Sequence, residues 1–127
     1  MSDSFSTGEF CGRTEAKEPV LTFAVITCSD TRDESQDTAG AALKERIAAR
    51  GWKCASYALV KDDRAEISAA IAAAADLPEV NVVLTCGGTG LSLRDVTPEA
   101  TRDVCDREVP GIAEGMRAYS LQITPRA

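Results

Sequence analysis

The sequence contains no histidine, which removes imidazole acid/base catalysis, the Ser-His-Asp arrangement and every His-ligated metal centre at once. Aromatic residues are only 5% of the 127. The core must therefore come from Val, Ile, Leu and many Ala, which favours alanine-rich helices lying close on a sheet. No apolar run approaches the ~20 residues of a membrane span, and the N-terminus lacks the basic-then-apolar pattern of a secretion signal. The five cysteines, Cys11, Cys28, Cys54, Cys86 and Cys105, form no C-x-x-C pair and are odd in number. They read as buried thiols of a reducing compartment, and the expectation is a cytoplasmic protein. A basic stripe is lacking too. Fourteen Lys and Arg against twenty Asp and Glu leave a net charge of −6, which argues against nucleic-acid and anionic-membrane partners. A phosphate ligand remains compatible, because backbone N–H groups and a bound cation can hold one on an acidic protein.

What is present fits one domain. Residues 1–19 are polar, end at Pro19 and read as a flexible tail, with the folded domain over 20–127. Leu21 to Cys28 is a compact run of β-formers, expected as a buried strand. A polar loop over Ser29–Asp37 follows, and Asp37 or Thr38 can cap a helix carrying Ala39, Leu43 and Ile47, closed by Gly51. A second strand is expected over Lys53–Val60, with Ala55, Tyr57 and Leu59 alternating along it. Lys61-Asp62-Asp63-Arg64 turns into a helix with Ile67, Ala70, Ile71 and Ala74 on one stripe, stopped by Leu77-Pro78. Val80–Thr85 reads as a third, central parallel strand. Thr97 suits a helix N-cap, with Pro98 at the first helical position and Glu99 at the positive helix end. Pro110-Gly111 breaks that helix, and a last helical segment carries Ile112, Met116 and Tyr119.

Strand-to-helix units in alternation predict an α/β fold: a Rossmann-like, three-layer sandwich around a mostly parallel sheet. Ligands in such folds sit beyond the carboxyl ends of the strands, where the strand order reverses. The loops at those ends are Ser29–Asp37, Lys61–Arg64 and Cys86–Val96. All three are polar and carry carboxylates, so the geometry points to one composite site.

The third loop is the most informative. Gly87, Gly88 and Gly90 around Thr89 allow a sharp turn and a close approach of backbone N–H groups to an anion. The run is not a P-loop, since no Gly-Lys-Ser/Thr follows. Nor is it the dinucleotide fingerprint, whose third glycine is replaced by Leu93. Tight packing alone is the plainer explanation of the glycines. Asp95 could face a ligand or cap a backbone amide. Of Asp62 and Asp63, one can be the N-cap of the next helix while the other faces the site. Ser29 and Asp30 could bind ligand or close an Asx-type turn. Arg94, Arg32 and Lys61 are candidate phosphate partners.

The stretch from Thr85 to Ala100, Thr-Cys-Gly-Gly-Thr-Gly-Leu-Ser-Leu-Arg-Asp-Val-Thr-Pro-Glu-Ala, closely resembles the signature of the molybdopterin adenylyltransferase family, which includes the gephyrin G domain. Ser29-Asp30-Thr31-Arg32 after the first strand resembles that family's first motif, Lys61-Asp62-Asp63-Arg64 its second, and Asp106 to Gly111 the segment that follows. The resemblance implies an α/β sandwich, a homotrimer or in some branches a hexamer, and adenylylation of molybdopterin with Mg-ATP. It implies catalytic and Mg²⁺-organising roles for Asp62 and Asp95. Substrate and nucleotide contacts would come from Ser29, Asp30, Gly87, Gly88, Thr89, Gly90, Arg94 and Thr97. The molybdate-insertion protein is an expected partner. The alternatives are a non-catalytic molybdopterin-binding or scaffolding protein of the same fold, or molybdate insertion itself. Two departures stand out: Leu93 replaces a common proline, and the family's C-terminal strand-helix unit is expected to be missing after Thr124-Pro125-Arg126.

Overall fold

The computed structural model describes residues 18–88 and 91–126. The expected tail falls almost wholly outside them. In chain order the elements are β1 (Thr22–Cys28), α1 (Thr38–Ala49), β2 (Lys53–Val60), α2 (Arg64–Ala75), β3 (Val82–Cys86), α3 (Thr97–Val104) and α4 (Pro110–Leu121). A single 3-10 turn at Glu34–Gln36 precedes α1.

The three strands form one parallel sheet in the order β2-β1-β3. β1 is the centre, and its composition explains why. Thr22-Phe-Ala-Val-Ile-Thr-Cys28 is rich in β-branched residues, and all of it from Phe23 to Cys28 is buried. Its side chains alternate between two packed layers. Phe23 and Val25 meet Leu43 and Ile47 of α1, whereas Ala24, Ile26 and Cys28 meet Ile67, Ile71 and Ala74 of α2 and Ala100 of α3. The helices thus lie on opposite faces, as expected when the chain steps from β1 to β2 and then back across to β3. Ile26, Ile67 and Val25 are the largest side chains wholly removed from solvent, each contributing about 1.5–3 kcal/mol by burial.

The local sequence accounts for most boundaries. Asp37 caps α1 by accepting the Gly40 N–H at 2.9 Å, and Asp63 caps α2 by accepting the Glu66 N–H at 2.9 Å. Gly51, at φ +78°, turns the chain out of α1. α3 is tied to α2 by a bidentate Arg64–Asp103 pair at 2.7 and 2.8 Å and by the Ser68 hydroxyl on the Ala100 carbonyl at 2.9 Å.

Four expectations need correction. β3 is not central: among the described residues it lies at the sheet edge, and all five of its residues are only half-buried. In β2 the register to β1 slips between Phe23–Cys54 and Ala24–Ser56, so Ala55 is a bulge residue. Cys54 and Tyr57 consequently share the α1 face, and Ala55 is exposed instead of alternating with Tyr57 and Leu59. Thr97 is not the N-cap of α3. Val96 takes that position without a side-chain cap, and Thr97 and Pro98 occupy the first two helical positions. Pro110 does not break α3, which already ends at Val104; it opens α4, whose Ile112, Met116 and Tyr119 are each 66% exposed.

Candidate functional site

The carboxyl ends of the three strands surround a cleft of about 330 Å³. Thr27, Cys28 and Ser29 of β1 and its following loop line it, with Asp62 beyond β2, Cys86 at the end of β3 and Gly87 and Gly88 beyond it; Arg32 and Asp37 line it too. It opens between β1 and β3, where the chain leaves toward opposite faces of the sheet. This is the crevice in which open α/β sheets bind ligands.

Gly87 and Gly88 are required there by both conformation and space. Their φ values are +90° and +64°, a region costly for residues with a Cβ. A Cβ on Gly87 would stand 2.3 Å from the Cys28 carbonyl oxygen. One on Gly88 would stand 2.5 Å from Thr97 Oγ1 and 3.0 Å from Asp62 Oδ1. The glycine backbone therefore runs directly against two polar side chains from other elements. Both of those atoms, Asp62 Oδ1 and Thr97 Oγ1, are buried without a hydrogen-bond partner among the described residues. Buried polar atoms are nearly always satisfied, and an exception calls for an explanation.

The ambiguity between Asp62 and Asp63 resolves in space. Asp63 faces away as the α2 cap, while Asp62 turns into the cleft. Its Oδ2 accepts the Asp30 N–H at 3.2 Å, and its own N–H donates to Asp30 Oδ1 at 2.9 Å. Asp30 Oδ2 pairs with the Arg94 guanidinium. The Asp62 backbone hydrogen bond, and then Arg94, hold the Asp30 carboxyl below the usual carboxylate range. One carboxylate thereby joins all three strand-end loops.

Ser29 closes a turn, as one reading of the sequence allows: its Oγ accepts the N–H groups of Thr31 and Arg32 at 3.3 and 3.2 Å. Those bonds use its lone pairs and leave the hydroxyl proton to donate into the cleft. Arg94 is 71% exposed at its side chain. Asp95 holds the end of the loop through its N–H to the Ser92 carbonyl at 3.0 Å, but it is not among the residues lining the cleft. Asp62 and Asp95 are thus not brought together around that cleft. Thr89 and Gly90 lie outside the described residues. Among those residues no group of three or more Cys, Asp or Glu is placed to hold a metal ion.

Several cleft residues escape a reading of local sequence: Thr27, Cys28, Asp37 and Cys86. Burial pushes the Cys28 thiol above its ordinary range, opposed by the neighbouring Thr97 hydroxyl and reinforced by Asp62 and Cys86. That thiol does not satisfy Thr97 Oγ1 in hydrogen-bond geometry. The signal for Asp37 was present, since it was one of two expected caps. Its place in the cleft follows only from the fold.

Comparison with known proteins gives this arrangement a family. Residues 24–126 match the model described as a probable molybdopterin binding domain. Molybdenum cofactor biosynthesis protein B of Halalkalibacterium halodurans is 40% identical over 98 residues, covering 77% of this chain and 58% of the relative. Molybdopterin adenylyltransferase of Helicobacter pylori is 44% identical over 71 residues, covering 56% of this chain and 40% of the relative. A crystal structure of a molybdenum cofactor biosynthesis protein B superposes with a TM-score of 0.78 at 40% identity, covering 84% of this chain and 66% of that one. The chain thus spans 58% and 40% of the length of the two relatives named. With the α/β fold in agreement with that solved structure, the chain belongs to the molybdopterin-binding domain family of molybdenum cofactor biosynthesis.

Proposed function

We propose that the cleft binds molybdopterin and ATP and catalyses adenylyl transfer between them. The observation that carries this reading is the pair of buried oxygens, Asp62 Oδ1 and Thr97 Oγ1, that press against Gly88 and have no partner among the described residues. A carboxylate oxygen left without a donor in a polar crevice is costly unless a ligand or cation completes it. The name borne by the Helicobacter pylori relative supports the same chemistry.

In this reaction a phosphate oxygen of molybdopterin bonds to the α-phosphorus of ATP, and pyrophosphate leaves with the electrons of the broken P–O bond. The attacking oxygen is ionised at neutral pH, so the lack of histidine is no obstacle. The protein's task is positioning and charge stabilisation. Gly87 and Gly88 let the backbone approach the phosphates without a side chain between. The Ser29 hydroxyl donates to a phosphate oxygen, and Arg94 exchanges its Asp30 partner for the polyanion. Thr97 Oγ1 donates to the same group from below.

Mg²⁺ takes oxygen ligands and keeps several waters, so one protein carboxylate with substrate phosphates is a sufficient set. Asp62 Oδ1 fits that role, and Asp95 would join it only from the loop. Bound there, the ion would neutralise phosphate charge.

The test is incubation of the purified chain with Mg-ATP and molybdopterin, following pyrophosphate and adenylylated pterin. Product from the unaltered chain and none from Asp62→Asn supports the assignment. Tight binding of both substrates without product would instead make the chain a binding or scaffolding member. Product that requires molybdate would favour the insertion reaction.

A further inference from the structure

Deeper in the cleft than the glycine turn lies a second polar cluster. Asp37 and Thr27 both line the cleft, and each is only 4% exposed. Asp37 Oδ2 accepts the Thr27 hydroxyl at 2.6 Å and the Tyr57 hydroxyl at 2.5 Å, while Oδ1 accepts the Gly40 N–H at 2.9 Å. The packing is close enough to demand glycine at position 40, where a Cβ would meet Asp37 Oδ2 at 2.2 Å and Thr27 Oγ1 at 2.9 Å.

A cap on α1 would need only the bond to Gly40, and Asn would make it without a charge. Here a carboxylate is kept instead, nearly removed from water and held by three donors. Burial works against the charged form, but the bonds from Thr27, Tyr57 and Gly40, with the Lys44 charge, outweigh it and hold the carboxyl below its usual range. Lys44 sits over the Tyr57 ring at 3.7 Å from its centre.

An ionised carboxylate only accepts hydrogen bonds. The protons of Thr27 and Tyr57 are therefore both committed to Asp37. Thr27 can present nothing but lone pairs to its remaining neighbours; one meets the Cys86 thiol at 3.3 Å, and the other has no donor among the described residues. Of the roughly four acceptor positions on a carboxylate, three are filled at Asp37. The Thr27 and Asp37 side chains thus accept hydrogen bonds and offer none.

We propose that Thr27 and Asp37 form an acceptor-only wall that selects a nitrogen heterocycle by its exocyclic amine. The proposal rests on the substrate reading above and extends it, because both a pterin and an adenine carry such a group. Thr27 would be the contact residue, and Asp37 the residue that fixes the direction of its proton.

The test measures binding to the full chain in two matched pairs. The first is 6-hydroxymethylpterin against 6-hydroxymethyllumazine, which replaces the 2-amino group by an oxo group. The second is Mg-ATP against Mg-ITP, which replaces the 6-amino group likewise. In one pair the amino member should bind at least about tenfold more tightly, because the oxo member leaves acceptor facing acceptor. The pair that discriminates identifies which heterocycle lies on this wall. Thr27→Val should bring the ratio close to one, and Thr27→Ser should preserve it. Asp37→Asn frees the Thr27 proton, since its amide can donate to the hydroxyl, and should shift preference toward the oxo member. Equal binding within both pairs overturns the proposal even if adenylylation is observed. So does a ratio that survives Thr27→Val, or variants that weaken both members alike. If the chain binds neither pair at all, this proposal and the substrate reading fall together.

Discussion

Asp30 and Asp62 exchange hydrogen bonds in both directions, each backbone N–H donating to the other's carboxylate, at 2.9 Å into Asp30 Oδ1 and 3.2 Å into Asp62 Oδ2. The reciprocal clasp joins the end of β1 to the end of β2. It also divides the Asp62 carboxylate: one oxygen is spent on structure, and the other faces Gly88 without a partner among the described residues. Position and chemistry are thus separated within one side chain.

That division makes Asp30 a positioning residue, and two substitutions separate its bonds. Asp30→Asn keeps a carbonyl oxygen for the Asp62 N–H but loses the ion pair with Arg94. Asp30→Ala loses both. Asp30→Ala should lower kcat for the proposed adenylyl transfer by about tenfold or more with KM little changed, because the Asp62 backbone N–H loses its acceptor and the loop that carries Asp62 loses its tether to β1. Asp30→Asn should retain most of kcat and bind ATP at least as well as the unaltered chain, since Arg94 is then unpaired. Steady-state kinetics of the two variants checks this, and equal kcat values for both would refute the division.

The two glycines at positive φ in the cleft can be compared with one outside it. Gly51 has φ +78° and nothing within 4 Å of an added Cβ, whereas Gly88 has φ +64° and Thr97 Oγ1 at 2.5 Å. Gly51→Ala should cost about 1–2 kcal/mol for the left-handed backbone alone and leave ligand affinity unchanged. Gly88→Ala should cost at least as much and abolish binding, because its methyl occupies the space between the two unpartnered oxygens. Urea denaturation paired with a nucleotide-binding titration distinguishes strain from occlusion.

The contrast between Asp63 and Thr97 shows how far the local sequence reaches. A cap followed by a regular helix is a short-range pattern, and it narrowed the α2 cap to Asp62 or Asp63; the fold made Asp63 the cap and left Asp62 to the cleft. At Thr97 the same pattern misleads. The helix begins one residue early because Ala100 must reach the core beside Ile67, and Gly88 accepts the Thr97 N–H at 3.3 Å. Tertiary contacts override the cap preference and turn the Thr97 hydroxyl inward. The Ala55 bulge is equally invisible, since pairing register is decided by a partner strand some thirty residues distant. The Thr27–Asp37–Tyr57 cluster needs all three elements assembled before its members meet. What remained legible was the order of strands and helices, and the confinement of polar loops to one end of the sheet.

The position of the core gives a prediction in which apolar identity alone is not enough. Ile67 is fully buried among Ala24, Ile26 and Ala100, while Ile112 on α4 is 66% exposed. Ile67→Ala should destabilise the fold by about 2–5 kcal/mol through lost burial and an unfilled cavity. Ile112→Ala should change it by no more than about 0.5 kcal/mol. Chemical denaturation curves of the two variants, compared at constant slope, measure the difference. Comparable losses would mean that α4 is buried in solution.

The last prediction concerns the phenol of Tyr57, whose pKa burial and the Asp37 carboxylate push up to about 12. In the unfolded chain the same group ionises near about 10. A pKa raised on folding means that the neutral phenol is favoured in the native state. This contribution to stability is complete below the unfolded value and is lost as pH rises from there through the folded one. Between about pH 10 and about pH 12 the unaltered chain should therefore lose stability partly through Tyr57. Tyr57→Phe should show a flatter loss over the same window despite lower stability at neutral pH. Asp37→Asn removes the charge that opposes ionisation, so the Tyr57 absorbance change near 295 nm should move to lower pH. Spectrophotometric titration of the unaltered chain, Tyr57→Phe and Asp37→Asn assigns the high transition. If it persists unchanged in Asp37→Asn, the carboxylate is not what holds the proton on Tyr57.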